Sequence, residues 1–229
     1  MAEVILALDV QDRERACTLA RSLAPVLSWC KIGLEMFTLC GPSLVRELQE
    51  MGYHIFLDLK FYDIPNTVHR AVQSCAKLNV ELLTLHLQGG RRMLEEAVRS
   101  VQECTQKGLN APKLFGVTVL TSFGEGEIPG IAKTPTVFAA ELAELAAATG
   151  LNGVVCSAHE VQRIKHAHPS LQCLCPGIRP AWADAQDQKR VATPQEAVRL
   201  GADLLVIGRP ITQARDPLRA AQKILAELG

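Results

Sequence analysis

The sequence predicts an α/β fold, a (β/α)8 barrel of the TIM type that forms a single domain over residues 1–229. Eight short apolar runs alternate with helical patterns along the chain, which indicates a parallel sheet. The runs are nearly continuous in apolar residues, as expected for strands whose two faces are both covered. A doubly wound open sheet is the alternative, but it usually has a G-x-G-x-x-G after its first strand, and LDVQDRERA contains no glycine.

Each predicted strand is a short, mostly apolar run of six to eight residues. In chain order the runs are VILALDV (4–10), WCKIGLE (29–35), YHIFLDLK (53–60), LLTLHLQ (82–88), LFGVTVLT (114–121), GVVCSA (153–158), QCLCPGI (172–178) and LLVIGRP (204–210). The longest irregular segment, TSFGEGEIPGIAKTP (121–135), could be either an active-site lid or a solvated loop.

Signals for helix ends occur between these strands, and about eight helices are expected. DRERACTLARSL begins with an acidic residue suited to N-capping, and GPSLVRELQEMG ends on Gly52, a helix-stop signal. TPQEAVRLGA is the clearest case, because Thr193 can cap the helix, Pro194 suits its first position and Glu196 completes a capping box. Gly201 then ends that helix.

The composition gives no support to a nucleic-acid or membrane partner. The 24 basic side chains balance the 24 acidic ones, and the sequence pI is near 7. No apolar run approaches the roughly 18 residues of a membrane-spanning helix. The N-terminal MAEVILALDV lacks a basic region and is predicted to be the first strand, not a signal peptide.

The eight cysteines favour reduced thiols in a cytoplasmic protein. Most of them lie inside apolar segments, where cysteine acts as a small hydrophobic residue. No C-x-x-C pair occurs, and the spacing of CLC (173–175) is too tight for a usual zinc knuckle. No metal site is therefore predicted.

Polar residues interrupt the apolar runs at one end, and that end is where barrels place their active sites. Sites in this fold form at the C-terminal ends of the strands. The polar and glycine residues found there are Asp9, Lys31, Glu35, Asp58, Lys60, His86, Thr121, Ser122, Arg179, Gly208 and Arg209. So many at one end favour a functional site over scattered structural groups.

The segment DLKFYDIPNT (58–67) places two acids and a base where a buried strand ends. Asp58 and Lys60 are two positions apart, so they are expected on the same side of the strand. Asp63 lies just past the strand end, and Lys31 lies on the neighbouring strand. A structural ion pair is the alternative, but burying such charges is costly, and a core that needed only stability would do as well with leucines.

Acids beside Lys60 indicate what that lysine can do. A Schiff-base lysine must be a free amine, whereas two carboxylates favour the ammonium form. Lys60 is therefore predicted to donate a proton and to stabilise developing negative charge, as a carbanion intermediate requires. Asp58 beside a carboxylated substrate would add repulsion that is relieved when the carboxyl group leaves.

The last two predicted strands end in a candidate phosphate site. Gly208 in VIGRPI lets backbone N–H groups approach an anion, and Arg209 adds donors that match phosphate oxygens. Arg179 in PGIRP and Gln188 in DQKR are expected nearby. The loops after strands seven and eight are the usual phosphate site in barrels.

Together, LALDV, KIGLEMF, DLKFYDIPNTV, VTVLTS, PGIRP, DQKR and VIGRPIT resemble the orotidine 5′-phosphate decarboxylases of the bacterial, stand-alone type. The resemblance runs from about residue 4 to 217. It implies a homodimeric barrel with shared active sites that converts orotidine 5′-monophosphate to UMP and CO₂. It also implies that the enzyme uses neither a metal nor an organic cofactor.

The resemblance assigns roles to the charged residues. It implies that Lys60 protonates C6 of the pyrimidine and that Asp58 lies beside the departing carboxylate. Lys31 and Asp9 match contacts to the ribose hydroxyls, and Lys31 also joins the charged network. Asp63 matches an acid that enters the neighbouring subunit's site.

The remaining positions match contacts along the rest of the substrate. The resemblance implies that Ile64 and Thr67 accompany Asp63 into the neighbouring site. It leaves open whether Thr121 or Ser122 makes the side-chain contact to the pyrimidine. The group that matches the phosphate contacts is Arg179, Gln188, Gly208 and Arg209.

Two other functions remain open at this point. Magnesium-dependent 3-keto-gulonate-6-phosphate decarboxylases and hexulose-phosphate synthases share D-x-K-x-x-D, but they carry a metal-binding acid where this chain has Lys31. Glu35 is four residues further along the chain, too far to replace that acid. A non-catalytic phosphate-ligand binder would not need the charged residues around Lys60.

His86 is expected to be a packed or supporting histidine.

Overall fold

The structure is a computed structural model that describes residues 2–183 and 191–228. Its strands are β1 (Glu3–Ala7), β2 (Trp29–Gly33), β3 (His54–Phe61), β4 (Leu82–His86), β5 (Lys113–Val117), β6 (Gly153–Val155), β7 (Gln172–Cys175) and β8 (Leu204–Ile207). Its α-helices are α1 (Arg13–Leu23), α2 (Leu34–Cys40), α3 (Pro42–Glu50), α4 (Pro65–Ala76), α5 (Gly90–Gln106), α6 (Pro135–Thr149), α7 (Ala158–Ala167), α8 (Pro194–Arg199), α9 (Arg209–Thr212) and α10 (Pro217–Glu227). A 3₁₀ turn, Leu87–Gly89, precedes α5.

The eight strands form a closed parallel barrel in sequence order, which confirms the predicted (β/α)8 fold. Each strand pairs in parallel with the next, and β8 returns to pair with β1 through Ile5 and Val206. Closure brings the C-terminal ends of all eight strands to one rim. The polar residues that follow the strands are thereby collected at that rim.

Most strands end earlier than their apolar runs predict. Strand β1 stops at Ala7, before Asp9, and β8 stops at Ile207, before Arg209. Strand β2 stops at Gly33 because the next residue begins α2. The polar residues at these ends therefore belong to the loops and helix starts above the barrel. The backbone there is not held in the extended conformation of a paired strand.

The helix boundaries follow local signals in the sequence. Asp12 caps α1 by accepting a hydrogen bond from the N–H of Arg15 at 2.8 Å. Thr193 and Glu196 form the predicted capping box of α8. Gly52, after α3, has a φ of +90°, a conformation that glycine adopts without strain.

Two apolar layers support the rim. The outer layer packs the helices against the outside of the barrel, and the inner layer fills the barrel itself. Phe56 and Phe115 are the largest side chains of the inner layer and are almost wholly buried. Gly153 leaves room for the ring of Phe115, since a Cβ at that position would lie 2.5 Å from it.

All eight cysteines are free thiols, and only Cys40 among them is partly exposed. Burial raises the pKa of the Cys75 thiol to about 12, so it stays protonated at neutral pH.

Within residues 2–183 and 191–228, no helix is long and apolar enough to cross a membrane.

Candidate active site

Two adjoining cavities open at the rim and form one cleft. The first has a volume of about 150 Å³ and a mainly apolar wall, and the second has a volume of about 480 Å³ and a more polar wall. Lys31, Asp58 and Lys60 line both cavities. The charged side chains that the sequence singles out therefore lie at the junction between an apolar space and a polar one.

A continuous chain of charges crosses this junction. Lys31 Nζ lies 2.7 Å from Oδ1 of Asp9 and 3.8 Å from Oδ2 of Asp58. Lys60 Nζ donates to the same Oδ2 of Asp58 at 2.8 Å. Lys31 and Asp58 are buried, whereas the side chain of Asp9 is exposed. The two lysines thus share one buried carboxylate, and the order of alternating charges is Asp9, Lys31, Asp58, Lys60.

Lys60 reaches Asp58 by a different route from the predicted one. The alternation of side chains along a regular strand predicts this contact. In the structure Lys60 has a φ of +49°, and the pairing of β3 with β4 shifts register between Leu57 and Phe61. The contact is present, but an irregular strand end makes it.

Thr84 contacts this network although the sequence does not predict it. Its hydroxyl donates to Oδ1 of Asp58 at 2.8 Å and accepts from the N–H of Lys60 at 3.0 Å. A threonine in the apolar run LLTLHLQ is what any β-strand favours, so its type gave no signal. The only available signal was its place two residues before His86 on a strand that borders Asp58.

Gly33 makes room for the ion pair between Lys31 and Asp9. A Cβ at residue 33 would lie 2.9 Å from Nζ of Lys31 and 3.1 Å from Oδ1 of Asp9. Any larger residue would therefore have to displace the end of the lysine side chain. Gly33 lines the polar cavity, so this space continues into the cleft.

The apolar cavity is bounded by side chains from the inner layer of the barrel and by the segment after β5. Its apolar and sulfur-bearing lining residues are Phe56, Val117, Val119, Leu120, Val155, Cys156, Leu174, Pro176 and Val206. Thr121 also lines it, whereas Ser122 is exposed and does not. A small space with apolar walls, one threonine and two lysines at its edge suits a flat, uncharged ring.

The polar cavity holds the candidate phosphate site. Arg179, Gly208 and Arg209 line it, as expected, and Gln213 lines it too. Arg179 is buried, and its Nη1 donates to the carbonyl of Ile178 at 3.0 Å, which helps to orient its guanidinium group. Gln188, the fourth predicted phosphate contact, lies outside the described residues.

Asp63, Ile64 and Thr67 do not line either cavity. All three are exposed, and Ile64 is 67% exposed. The carboxylate of Asp63 accepts a hydrogen bond from the N–H of Ile64 at 2.6 Å. Within one chain, the second acid of DLKFYDIPNT is therefore separate from the charged network.

No group of three or more His, Cys, Asp or Glu side chains in the described part of the chain has the geometry to hold a metal ion. Glu35, the other acid near the end of β2, is exposed on α2 and lines neither cavity. The place nearest Asp58 on β2 is taken by the ammonium group of Lys31.

His86 lies at the end of β4 and is partly buried beside the network. Burial lowers the pKa of its imidazole, the ammonium group of Lys60 lowers it further, and the carboxylate of Asp58 acts in the opposite direction. The ring of Tyr62 lies 5.7 Å from the imidazole, centroid to centroid. His86 is thus a neutral neighbour of the charged groups at pH 7, in keeping with the supporting role expected for it.

Comparison with known proteins gives consistent matches over the whole chain. Residues 2–224 match the family described as orotidine 5′-phosphate decarboxylase / HUMPS. Proteins named orotidine 5′-phosphate decarboxylase from Lawsonia intracellularis and Nitratidesulfovibrio vulgaris are 45% and 48% identical, with all of this chain and 100% and 98% of theirs covered. The crystal structure of orotidine 5′-phosphate decarboxylase from Lactobacillus acidophilus is 34% identical, covers both chains fully and superposes with a TM-score of 0.87.

The pKa of His86 provides a test of the geometry that does not depend on any activity. Replacing Lys60 with Ala removes a positive charge beside the imidazole, so the pKa of His86 should rise while burial still holds it below the ordinary value. A proton NMR titration of the histidine ring signals measures this change. Lys107→Ala, at an exposed position after α5, is the matched control and should leave the pKa unchanged. An unchanged His86 pKa in Lys60→Ala would contradict the described geometry.

Proposed function

Because the chain belongs to the orotidine 5′-phosphate decarboxylase / HUMPS family, we propose that it is a carboxy-lyase that converts orotidine 5′-monophosphate to UMP and CO₂ in de novo pyrimidine biosynthesis. One observation carries the choice of reaction: the ammonium group of Lys60 lies 2.8 Å from the buried carboxylate of Asp58, between an apolar cavity and an arginine-lined one. A nucleotide that loses a carboxylate and gains a proton needs these three environments side by side.

The substrate fits the cleft in one direction. The pyrimidine occupies the apolar cavity, with Thr121 as its side-chain contact, because Thr121 and not Ser122 lines that space. The phosphate lies at Arg179 and Arg209 in the polar cavity, where two guanidinium groups provide charge-assisted donors. The ribose then lies between them, near Asp9 and Lys31.

The reaction proceeds in two chemical steps. The bond between C6 and the carboxyl carbon breaks, CO₂ leaves, and the electron pair stays on C6 as a carbanion. The ammonium group of Lys60 stabilises this charge and donates a proton to C6, and the resulting amine regains a proton from water. Asp58 accepts a hydrogen bond from Lys60 Nζ at 2.8 Å, which orients that lysine, and it repels the substrate carboxylate, a repulsion that ends when CO₂ departs.

The family also includes HUMPS members, so membership alone does not identify the substrate. The magnesium-dependent sugar-phosphate enzymes need an acid at the end of strand two, and this chain has Lys31 there, paired with Asp9 at 2.7 Å. A lysine at that point would repel a divalent cation. The relatives at 45–48% identity carry the name orotidine 5′-phosphate decarboxylase, which also favours the pyrimidine substrate.

The proposed function is tested by incubating the purified protein with orotidine 5′-monophosphate and measuring UMP formation. We expect UMP to form equally with and without EDTA, and 3-keto-gulonate 6-phosphate to remain unchanged. Activity that EDTA removes and magnesium restores, or turnover of the sugar phosphate alone, would favour the magnesium-dependent group instead.

Lys60→Ala should leave the fold intact and reduce decarboxylation by many orders of magnitude. Enzymes in general lower barriers by about 8–23 kcal/mol, so the loss of a central group removes a large part of the effect. The measurement is kcat for UMP formation, with the thermal unfolding temperature and UMP affinity as checks on folding. Lys107→Ala is the matched control. Activity of Lys60→Ala within about tenfold of the unsubstituted protein, a barrier change of only about 1.4 kcal/mol, would exclude the proton-donor role.

Arg209→Ala should impair the phosphorylated substrate selectively. Truncating one partner of a buried hydrogen-bonded charge pair costs on the order of 2–5 kcal/mol, which we expect as the loss in kcat/KM for orotidine 5′-monophosphate. Orotidine lacks the phosphate and should be affected little. The comparison uses both substrates with both proteins, and Arg215→Ala, an exposed arginine outside the cleft, is the matched control. An equal loss with orotidine would mean that Arg209 supports the fold or the chemistry and not phosphate binding.

We also propose that the protein acts as a homodimer with shared active sites. Four large apolar side chains are exposed on the segments that follow the neighbouring strands β2 and β3: Leu34, Leu39, Tyr62 and Ile64. Such clustering favours a protein–protein interface. A second copy that covered these residues would bring its Asp63, Ile64 and Thr67 toward the rim of the opposite cleft.

The shared site predicts complementation between two inactive variants. Mixed chains of Lys60→Ala and Asp63→Asn should regain part of the activity, because one of the two sites in a heterodimer is free of both substitutions. Activity of the refolded mixture is measured against each variant alone, and sedimentation confirms the dimer. Heterodimers that form and remain inactive would mean that Asp63 acts in its own subunit.

The remaining proposals concern the extent of the domain and the cellular location of the protein. We propose that residues 1–229 act as one domain, which the match over residues 2–224 supports. A cytoplasmic location is supported by the eight free thiols, since disulfides are rare in that compartment.

A further inference from the structure

Beneath the charged network, the pairing of β3 with β4 is irregular. Leu57 of β3 pairs with Leu83 of β4, and Phe61 pairs with Leu85. Residues 58–60 of β3 therefore lie opposite the single residue Thr84 of β4. Such bulges bend a strand and redirect its side chains, and they are common next to active sites. Here the bulge contains two members of the network, Asp58 and Lys60.

The hydroxyl of Thr84 contacts both of those residues. It accepts a hydrogen bond from the N–H of Lys60 at 3.0 Å. This bond takes the place of a backbone–backbone hydrogen bond where the pairing of β3 with β4 is interrupted. It donates to Oδ1 of Asp58 at 2.8 Å. Thr84 is 0% exposed and lines neither cavity, so it reaches the cleft only through these two residues.

These contacts constrain both the backbone and the carboxylate. Lys60 has a φ of +49°, a left-handed conformation that is strained for an L-residue and persists only where the surroundings hold it. The hydrogen bond to its N–H provides that support. At Asp58, the bond to Oδ1 orients the group so that Oδ2 faces Nζ of Lys60 at 2.8 Å and Nζ of Lys31 at 3.8 Å.

We propose that Thr84 is a positioning residue for the decarboxylation, an inference that rests on the proposed function. It sets the bulge that turns Lys60 into the cleft, and it fixes which oxygen of Asp58 faces the lysines. A strand that needed only stability would be served as well by valine, which has the same shape and a higher preference for strands. The hydroxyl of Thr84 is fully buried and bonds to the carboxylate of Asp58 and to the backbone of Lys60. The geometry that it imposes on these two residues explains why a threonine is present.

Three substitutions at Thr84 separate positioning from packing. Thr84→Val keeps the shape and removes the hydroxyl, and Thr84→Ser keeps the hydroxyl. Thr84→Ala also lacks the hydroxyl and replaces Thr84→Val in the comparison if the latter fails to fold. The matched control is Thr118→Val, because Thr118 is also 0% exposed and its hydroxyl donates only to a backbone carbonyl, that of Val155 at 2.9 Å.

We expect kcat for UMP formation to fall by about 10- to 100-fold in Thr84→Val, since a misplacement of about 1 Å can reduce a rate by about 100-fold. The KM for orotidine 5′-monophosphate should change little, because the arginines and the apolar cavity are unaltered. Thr84→Ser should retain most of kcat, and Thr118→Val should retain kcat even where its thermal unfolding temperature falls. An unchanged kcat in Thr84→Val, an equal fall in Thr118→Val, or no recovery in Thr84→Ser would each overturn the proposal.

A crystal structure of Thr84→Val tests the same inference without any turnover. We expect a longer distance between Lys60 Nζ and Asp58 Oδ2 than 2.8 Å, with a changed φ at Lys60. Unchanged geometry at both residues would overturn the positioning role. Absence of UMP formation by the unsubstituted protein would instead overturn the proposed function, and the structure of the variant would still decide the role of Thr84.

Discussion

Burial of the Asp58 carboxylate is the constraint on which the rest of the site depends. A carboxylate withdrawn from water is tolerated only when charges and hydrogen bonds replace its hydration. Thr84 and Lys60 each provide a contact at 2.8 Å, and Lys31 lies at 3.8 Å. These partners come from β2, β3 and β4, so three neighbouring strands must keep their register at the rim to accommodate one charge.

The same charges divide the cleft into two chemical environments. On one side, the inner layer of the barrel, with Phe56 beneath, forms a space whose walls are mainly apolar. Fixed charges at the edge of such a space act more strongly on a bound ring than they would in water. On the other side, Arg179 and Arg209 line a larger and more polar space that suits a phosphate. Lys31 and Lys60 stand where the two meet.

Much of the fold and many of the site residues could be predicted from the sequence, because their signals are local. Apolar runs mark strands, the capping residues Asp12 and Thr193 mark helix starts, and polar residues after the runs mark the rim. Barrel closure then collects those residues whatever their distance along the chain. The chain by itself therefore determined the order of the elements and which strand ends carry charged side chains at the rim.

The tertiary structure alone decided which atoms meet. The bulge opposite Thr84, the left-handed backbone of Lys60 and the choice of Thr121 over Ser122 at the cavity wall all depend on strand register or loop path. Periodicity along one strand does not encode its register with the next, since register is fixed by packing between strands that are distant in sequence. Asp63 shows the same limit: its neighbours in sequence join the network, but the chain turns outward after β3 and leaves it exposed.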